Sequence, residues 1–312
     1  MSHEYVQVRL AAKRRVAANV IEFHFEAIDG SSLSSPAPGD HIEILTPSGL
    51  PRRYSTTAGP HGSGGGWTVG IALDPAGSGG SASMHMQATT GDIMNVRPPT
   101  TNFPLKMSNS ALFIAGGIGI TPIRSMYHAA RREGKPYELV YLAGSRPEAA
   151  YATEFTEDPQ STLYIRDEHD GRFDLWKILE RPGERDLFCC GPPALMTQVR
   201  ALTMHWRPSR IHFETFSGVS PLDEFSGPFS AIWVPTGEMI PVPTDKTLLA
   251  AMRSVGIDWP SSCNAGTCGT CKVSLIGGDA DHRDALLTEE EQAKWLLPCV
   301  SRGDRVLELG PA

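Results

Sequence analysis

Between residues 4 and about 105, apolar and polar positions alternate in short runs such as HIEIL (41 to 45) and WTVGIAL (67 to 73), broken by PAPGD, HGSGGG and PAGSGG. A period of two over such lengths predicts half-buried strands, and the Gly- and Pro-rich breaks predict tight connections, together a small β-barrel. From Ser110 the pattern changes. LFIA is the continuous apolar run of a strand buried on both faces; GGIGI follows, and Thr121-Pro122 opens a helical stretch that Gly134 ends. Thr121 is the expected N-cap and Pro122 suits the first turn. YELVYLAG supplies a further strand, and near Asp186 the same grammar returns as DLFCC, GPP and ALMTQVRALTMHW. Strands alternating with helices predict a parallel sheet flanked by helices.

The segment SGVSPLDEFSGP, rich in Ser, Pro and Gly, interrupts both patterns and reads as a linker. After it FSAIWVP and MIPVP flank the turn TGE, and KTLLAAMRSVG places Leu248, Leu249, Met252 and Val255 on one helical face before Gly256. The boundaries expected from these shifts are 1–107 for the barrel, 108–218 for the α/β domain, 219–228 for the linker and 229–312 for a third module. A length of 312 residues suits two or three domains, and 40% hydrophobic with 20% charged residues suits a soluble globular chain. No apolar run approaches the roughly 20 residues of a membrane span. The N-terminus interleaves charges with apolar residues, which argues against a secretory signal and for a cytoplasmic location.

Net charge is −7, and from Asp223 onward 13 acidic against 7 basic residues give −6, leaving −1 for the rest. An acidic C-terminal end repels nucleic acid and favours encounter with a basic protein surface; a merely solvated acidic face explains the charge equally well.

Four of the six cysteines fall in the third module. Cys263, Cys268 and Cys271 in SSCNAGTCGTCK, with distant Cys299, follow the plant-type spacing of a [2Fe–2S] cluster. Disulfides compete poorly in a reduced compartment, and a structural zinc site is the stronger alternative because C-x2-C serves both. Gly266 and Gly269 favour the cluster, since they permit positive φ and bring amide N–H groups close to bridging sulfides.

With GGDADHRDALL, this stretch resembles the ferredoxin module of the phthalate dioxygenase reductase family, the flavin-containing reductases of Rieske non-haem iron oxygenases. The resemblance extends over nearly the whole chain. It implies a flavin β-barrel, a parallel-sheet α/β nucleotide domain and an α+β β-grasp ferredoxin, in that order.

PRRYSTT matches the family's flavin motif at Arg52, Tyr54 and Ser55. Arginine offers a forked cation to phosphate, tyrosine a flat ring to the isoalloxazine, and serine a hydroxyl to flavin N5. GSGGSASMHMQ resembles the family's phosphate loop at Gly79, Gly80, Ser81 and Ser83, preceded by Ile71 and Ala72 at the flavin-lining strand end. This loop style implies FMN. Relatives often carry a basic residue where this chain reads Ile71-Ala72-Leu73-Asp74, so FAD is the alternative.

GGIGITP is a Gly-rich strand-to-helix turn suited to a pyrophosphate, and it matches the family's element at Gly116, Gly117, Gly119, Thr121 and Pro122. CCGPPALM matches the family's Cys-Gly-Pro element at Cys190, Gly191 and Pro192; the resemblance puts Cys190 near the nicotinamide C4 and leaves Cys189 to the core. The last aromatic of HFETF, Phe216, corresponds to the ring that covers the flavin until nicotinamide arrives. NADH is the family's usual reductant. Here Ser145-Arg146-Pro147 lacks an acidic neighbour for Arg146, and that arrangement by itself favours a 2′-phosphate and hence NADPH.

The implied function is a reductase that passes electrons from NADH to FMN to [2Fe–2S] and singly to a Rieske-type oxygenase, with Ser55, Cys190 and Phe216 at the reacting flavin. A same-architecture reductase for a di-iron or haem oxygenase is the alternative, and an iron–sulfur redox sensor is the non-enzyme one. His282-Arg283-Asp284 lacks the rest of a kinase signature, and the ten histidines show no spacing for a mononuclear metal.

Overall fold

The alternating N-terminal runs form β1 (Val6–Ala17), β2 (Val20–Ala27), β3 (Asp40–Leu45), β4 (Pro51–Ser55), β5 (Trp67–Ala72) and β6 (Ile93–Thr101). The computed structural model describes residues 4–57, 65–75, 77–101, 103–216, 227–244, 246–261, 266, 269–284 and 286–312. The six strands pair antiparallel in the order β4-β3-β6-β1-β2-β5. The outer strands then meet: Thr56 bridges Val69, and Thr57 N donates to Thr68 O at 2.8 Å, which closes the sheet into a barrel. Alternation puts Val8 and Leu10, Phe23 and Phe25, and Ile42 and Ile44 inside. The short α1 (Gly80–Met86) adds Met84 to this core. Lys13 Nζ donates to Ala88 O at 2.6 Å just past the end of that helix.

The second pattern becomes β7 (Ser110–Gly116), α2 (Ile120–Arg132), β8 (Tyr137–Ala143), α3 (Ala152–Thr156), β9 (Ser161–Ile165), α4 (Trp176–Leu179), β10 (Arg185–Cys190), α5 (Pro193–Leu202) and β11 (Ile211–Glu214). All five strands are parallel in the order β11-β10-β7-β8-β9. Residues 111 to 115 of the central β7 are buried on both faces, as a covered parallel strand requires. One expectation is corrected. Thr121 is not the N-cap of α2: the Gly117–Gly119 3₁₀ turn runs straight into the helix, Gly119 is the cap, and the Thr121 hydroxyl donates to Ile118 O at 2.9 Å. Gly134, at φ +64, ends this helix as expected.

Barrel and parallel sheet share one compact unit, Met1–Thr215. Val20 of the barrel packs into the core around α2, Gly39 N donates to Ser125 Oγ at 3.0 Å, and Ala18 N donates to Pro147 O at 2.7 Å.

The second unit, Phe216–Ala312, contains β12 (Phe229–Trp233), β13 (Glu238–Val242), α6 (Leu248–Ser254), β14 (Val273–Gly277), β15 (Ala280–Asp281), α7 (Glu289–Gln292), β16 (Trp295–Leu296), β17 (Arg302–Gly303) and β18 (Val306–Gly310). Its main sheet runs β13-β12-β18-β14-β16, with β12 parallel to β18, the mixed arrangement of a β-grasp. Leu248, Leu249 and Met252 of α6 are buried, with Val255 partly so; Thr247 Oγ1 accepts from Ala250 N at 3.1 Å and Gly256 sits at φ +87. Residues 219–226 of the expected linker lie outside the described residues.

Arg302 is almost wholly buried here. Its guanidinium donates to Lys246 O (2.8 Å), Gly227 O (3.0 Å) and Pro243 O (3.2 Å) and lies 5.0 Å from the Phe229 ring centroid. Arg302→Met keeps the bulk and leaves those carbonyls without this donor. It is expected to lower stability by roughly 3 kcal/mol, read as a lower urea midpoint in tryptophan fluorescence; an unchanged midpoint would show that these bonds contribute nothing net.

Candidate active site and cluster loop

Two glycine turns meet at the C-terminal edge of the parallel sheet. One follows β7 (GGIGITP) and the other follows β10 (CGPP), and these strands are neighbours. A Cβ on Gly119 would lie 2.2 Å from the Cys190 carbonyl oxygen, and one on Gly191 would lie 3.0 Å from Gly116 Cα. No side chain fits at the first contact, and the second leaves one little room. Chain connections leave β7 and β10 towards opposite sides of the sheet, so a crevice opens between them at the switch point where open α/β sheets bind ligands. The first turn of the 13-residue α2 points its N–H groups into this region, and Pro122 occupies a position where no N–H is needed.

The barrel supplies a second wall. Arg52 donates to the Ser78 hydroxyl and to Pro51 O, and a Cβ on Gly80 would lie 2.8 Å from Arg52 Cγ. Gly79, at φ +92, makes the bend that lets the loop approach the guanidinium. Ser81 Oγ accepts from Asp74 N at 3.0 Å, and Ser83 Oγ donates to Gly80 O at 2.9 Å, so the loop is internally fixed around Arg52. Ile71 is buried and its carbonyl accepts from His85 Nε2 at 2.8 Å, while Ala72 ends β5 half-exposed. Tyr54 Oη and Ser55 Oγ are buried with no hydrogen-bond partner, and burial pushes the Tyr54 phenol up to about 12. Unpaired buried hydroxyls are costly, so this wall is built for a polar ligand. A flavin fits: a forked cation and glycine loop for its phosphate, and hydroxyls for its ring edge.

Ser55 faces the sheet, where Cys190 and Glu214 are register partners on β10 and β11. Burial raises the Cys190 thiol well above its ordinary range, and the Glu214 charge adds to the effect. Glu214 is itself pushed up to about 8 by burial; the Ser55 hydroxyl opposes the rise without satisfying either Ser55 Oγ or Glu214 Oε2. A thiol, a carboxyl and a hydroxyl, all uncharged or nearly so at neutral pH, therefore surround one point. Cys189 points to the other face, 4.0 Å from Met196 Sδ in an apolar core, where its thiol rises to about 12.

In the second unit Cys271 and Cys299 are buried in a small cluster with Leu249, Leu297 and Val300; Cys263 and Cys268 lie outside the described residues. Gly266 and Gly269 adopt φ +69 and +73, and a Cβ on Gly266 would lie 2.7 Å from Val300 Cγ2. Trp259 Nε1 donates to Cys271 O at 3.2 Å and to Lys272 O at 3.3 Å, fixing the backbone at a thiolate position. Left-handed glycines packed this tightly beside two buried cysteines fit a loop wrapped around a cluster, which a more open zinc knuckle does not require.

Residues 232–302 match the 2Fe-2S iron-sulfur cluster binding domain. The chain is 33% identical over 306 residues to phthalate dioxygenase reductase of Burkholderia cepacia, covering 96% of this chain and 94% of that one. A solved phthalate dioxygenase reductase, described as a modular structure for electron transfer from pyridine nucleotides to [2Fe-2S], superposes with a TM-score of 0.78 at 32% identity over 98% of both chains. The chain belongs to the phthalate dioxygenase reductase family. The heme-dependent oxidative N-demethylase beta subunit of Ectopseudomonas mendocina (strain ymp) is 31% identical over 302 residues, 96% of each chain. As a member of this family the protein is an electron-transfer oxidoreductase with a flavin and a [2Fe–2S] cluster as its cofactors.

Within this reductase the structure groups Arg52, Gly79, Gly80 and Ser81 at one pole of the barrel wall, and Ser55 with Cys190 at the sheet edge. Gly116, Gly119 and Gly191 join the two turns, with Gly117 at φ +54 between them and Pro192 as the cap of α5. Arg146 lies in the turn after β8, forked onto Glu168, and Phe216 opens the second unit at 41% exposure. Sequence reasoning missed Glu214 and Glu168. Neither carried a local signal: in HFE the two polar residues His212 and Glu214 alternate with Phe213, a pattern that reads as a solvent-facing side.

A carboxyl that holds its proton to about pH 8 when folded gives stability present below its unfolded value and lost as pH rises through the folded one. The melting temperature of the apoprotein is therefore expected to fall between pH 5 and 8, and less steeply in Glu214→Gln. Parallel slopes in the two proteins would show that Glu214 ionises normally.

Proposed function

We propose that this protein is the NADH-dependent reductase component of a Rieske-type oxygenase system, with FMN as the flavin, acting in the cytoplasm. The observation that carries the reading is the convergence of Ser55, Cys190 and Glu214 beside the switch-point turns, in a chain that also holds a [2Fe–2S] module. We divide it into a flavin barrel (1–107), an NADH domain (108–218), a linker (219–228) and a ferredoxin domain (229–312).

A flavin, when bound, takes two electrons together and releases them one at a time, which lets a nicotinamide supply a one-electron cluster. The chain's own residues make this possible. Arg52 and the Gly79-Gly80-Ser81 loop would hold a single phosphate group, and the described loop has no second cationic side chain for a diphosphate, which favours FMN over FAD. Ser55 offers a hydroxyl to the ring edge, and uncharged Cys190 flanks the nicotinamide position without stabilising NAD⁺ or repelling the hydride. Gly116, Gly117 and Gly119, with Thr121 and Pro122 in the first helical turn, receive the pyrophosphate. Phe216 is the ring that yields to the nicotinamide. Cys263, Cys268, Cys271 and Cys299 would hold the cluster, which would supply the one-electron exit.

Cys299→Ser is expected to abolish delivery to the oxygenase while flavin bleaching by NADH in stopped flow stays within about threefold of the original, because the two sites lie in separate units. Survival of delivery would exclude the proposed route. The excess of acidic residues after Asp223 supports docking on a basic partner surface, so coupled turnover should weaken as ionic strength rises from 0.01 to 0.15 M, in contrast to NADH oxidation with a small artificial acceptor. A salt-independent coupled rate would remove the electrostatic part.

The N-demethylase relative favours a second reading, a haem-dependent partner. Presenting the reduced protein separately with a Rieske oxygenase and a haem oxygenase distinguishes them by which one turns over.

A further inference from the structure

The turns after β8 and β9 lie side by side on the C-terminal edge of the sheet, where Ala143 pairs with Ile165. Asp167 N donates to Gly144 O at 3.1 Å, which ties the two turns together. From them Arg146 and Glu168 meet in a complete fork: Nε to Oε1 and Nη2 to Oε2, each 2.7 Å. Both side chains remain about half exposed, 56% and 43%, so the pair stands at the surface where a ligand reaches it. Across the edge, β8 is the direct neighbour of β7, whose glycine turn is the pyrophosphate candidate. The end of the strand beside a glycine-rich first strand is where an adenosine ribose lies in doubly wound sheets, and the charge there meets its 2′ substituent.

We propose, building on the nicotinamide reading above, that Glu168 selects NADH over NADPH. Its carboxylate occupies the Nε and one Nη2 N–H of Arg146, the side-on fork open to a 2′-phosphate, and neutralises the guanidinium charge. It also presents a negative charge to the incoming phosphate, so NADPH must either displace the carboxylate or bind beside a like charge. A 2′-hydroxyl asks for neither and leaves the fork intact. The local sequence Ser145-Arg146-Pro147 points to NADPH because the acidic neighbour is absent there; the fold supplies it from 22 residues further on. The remaining charges at these turns, Glu148, Arg166 and Asp167, do not engage Arg146: Arg166 lies 3.6 Å from Asp167, and Glu148 lies beside Gly144.

The test is flavin bleaching in the full-length, flavin-loaded protein titrated with NADH and with NADPH. In Glu168→Gln the NADPH-to-NADH ratio of kcat/KM is expected to rise at least about tenfold, through a lower KM for NADPH, a change of the size one discriminating contact gives. Arg146→Ala added to Glu168→Gln should cancel that gain, because the released guanidinium is what binds the phosphate. Flavin content and melting temperature check that the variants are folded. An unchanged ratio in Glu168→Gln, or a gain that persists in the double variant, overturns the role of Glu168 while leaving the NADH reading in place. Failure of the original protein to be reduced by either nucleotide overturns that reading, and this proposal with it.

Discussion

The first unit depends on a backbone contact: the turn after β7 lies so close to the end of β10 that no Cβ fits between Gly119 and the Cys190 carbonyl. Side chains usually set the spacing between connections. Here their absence sets it, and two peptide turns from distant parts of the chain close against each other at the switch point. The amide groups at the start of α2 are thereby brought next to the end of β10, where the Cys190 thiol is fully buried in the core around α2. The continuous burial of β7 and β10 holds the two turns at fixed heights, so apolar packing in the sheet determines the position of polar groups at its edge.

Polar oxygens also gather at that edge. Tyr54 Oη, Ser55 Oγ and Glu214 Oε2 are buried without a hydrogen bond of full geometry, and a polar ring system there would offer them partners. Elsewhere in the unit, buried polar groups are paired in part, with Arg124 Nη1 and Tyr141 Oη among the atoms that have no hydrogen-bond partner. Arg124, nearly inaccessible in α2, gives Nε and Nη2 to Glu154 and lies 4.4 Å from the Tyr151 ring centroid. Tyr151 adopts φ +60, uncommon for a residue with a Cβ, and its hydroxyl comes close to Gly70 of the barrel. The Arg124–Glu154 pair thus joins α2 to α3 within the sheet domain, and Tyr151 beside it reaches the barrel.

The second unit solves a different problem with similar means. Gly266 and Gly269 are left-handed and pressed against Val300 and Leu286, while Trp259 holds the backbone at Cys271. Acidic residues cluster at its surface, as in α7, where Glu289, Glu290 and Glu291 follow the Thr288 cap and the Thr288–Glu291 capping box fixes the turn. Charge favourable to the helix N-terminus and charge suited to a basic partner coincide on the same short helix.

The sequence by itself determined the barrel and the parallel sheet, because period-two runs, continuous apolar runs and glycine stops are local physical requirements of those elements, while the β-grasp was expected from the family resemblance. The resemblance separated Cys190 from Cys189, and in the fold the two thiols lie in different cores, as neighbours in a strand must. The local pattern misplaced the cap of α2, because the Gly117–Gly119 3₁₀ turn uses backbone geometry where a hydroxyl was expected. Only the tertiary structure decided the state of Glu214 and the partner of Arg146. Glu214 keeps its proton because the sheet and barrel together remove water from it, and Arg146 meets Glu168 because parallel pairing of β8 and β9 brings two turns together. Burial and cross-strand proximity are properties of pairs distant in the chain, and no local pattern encodes them.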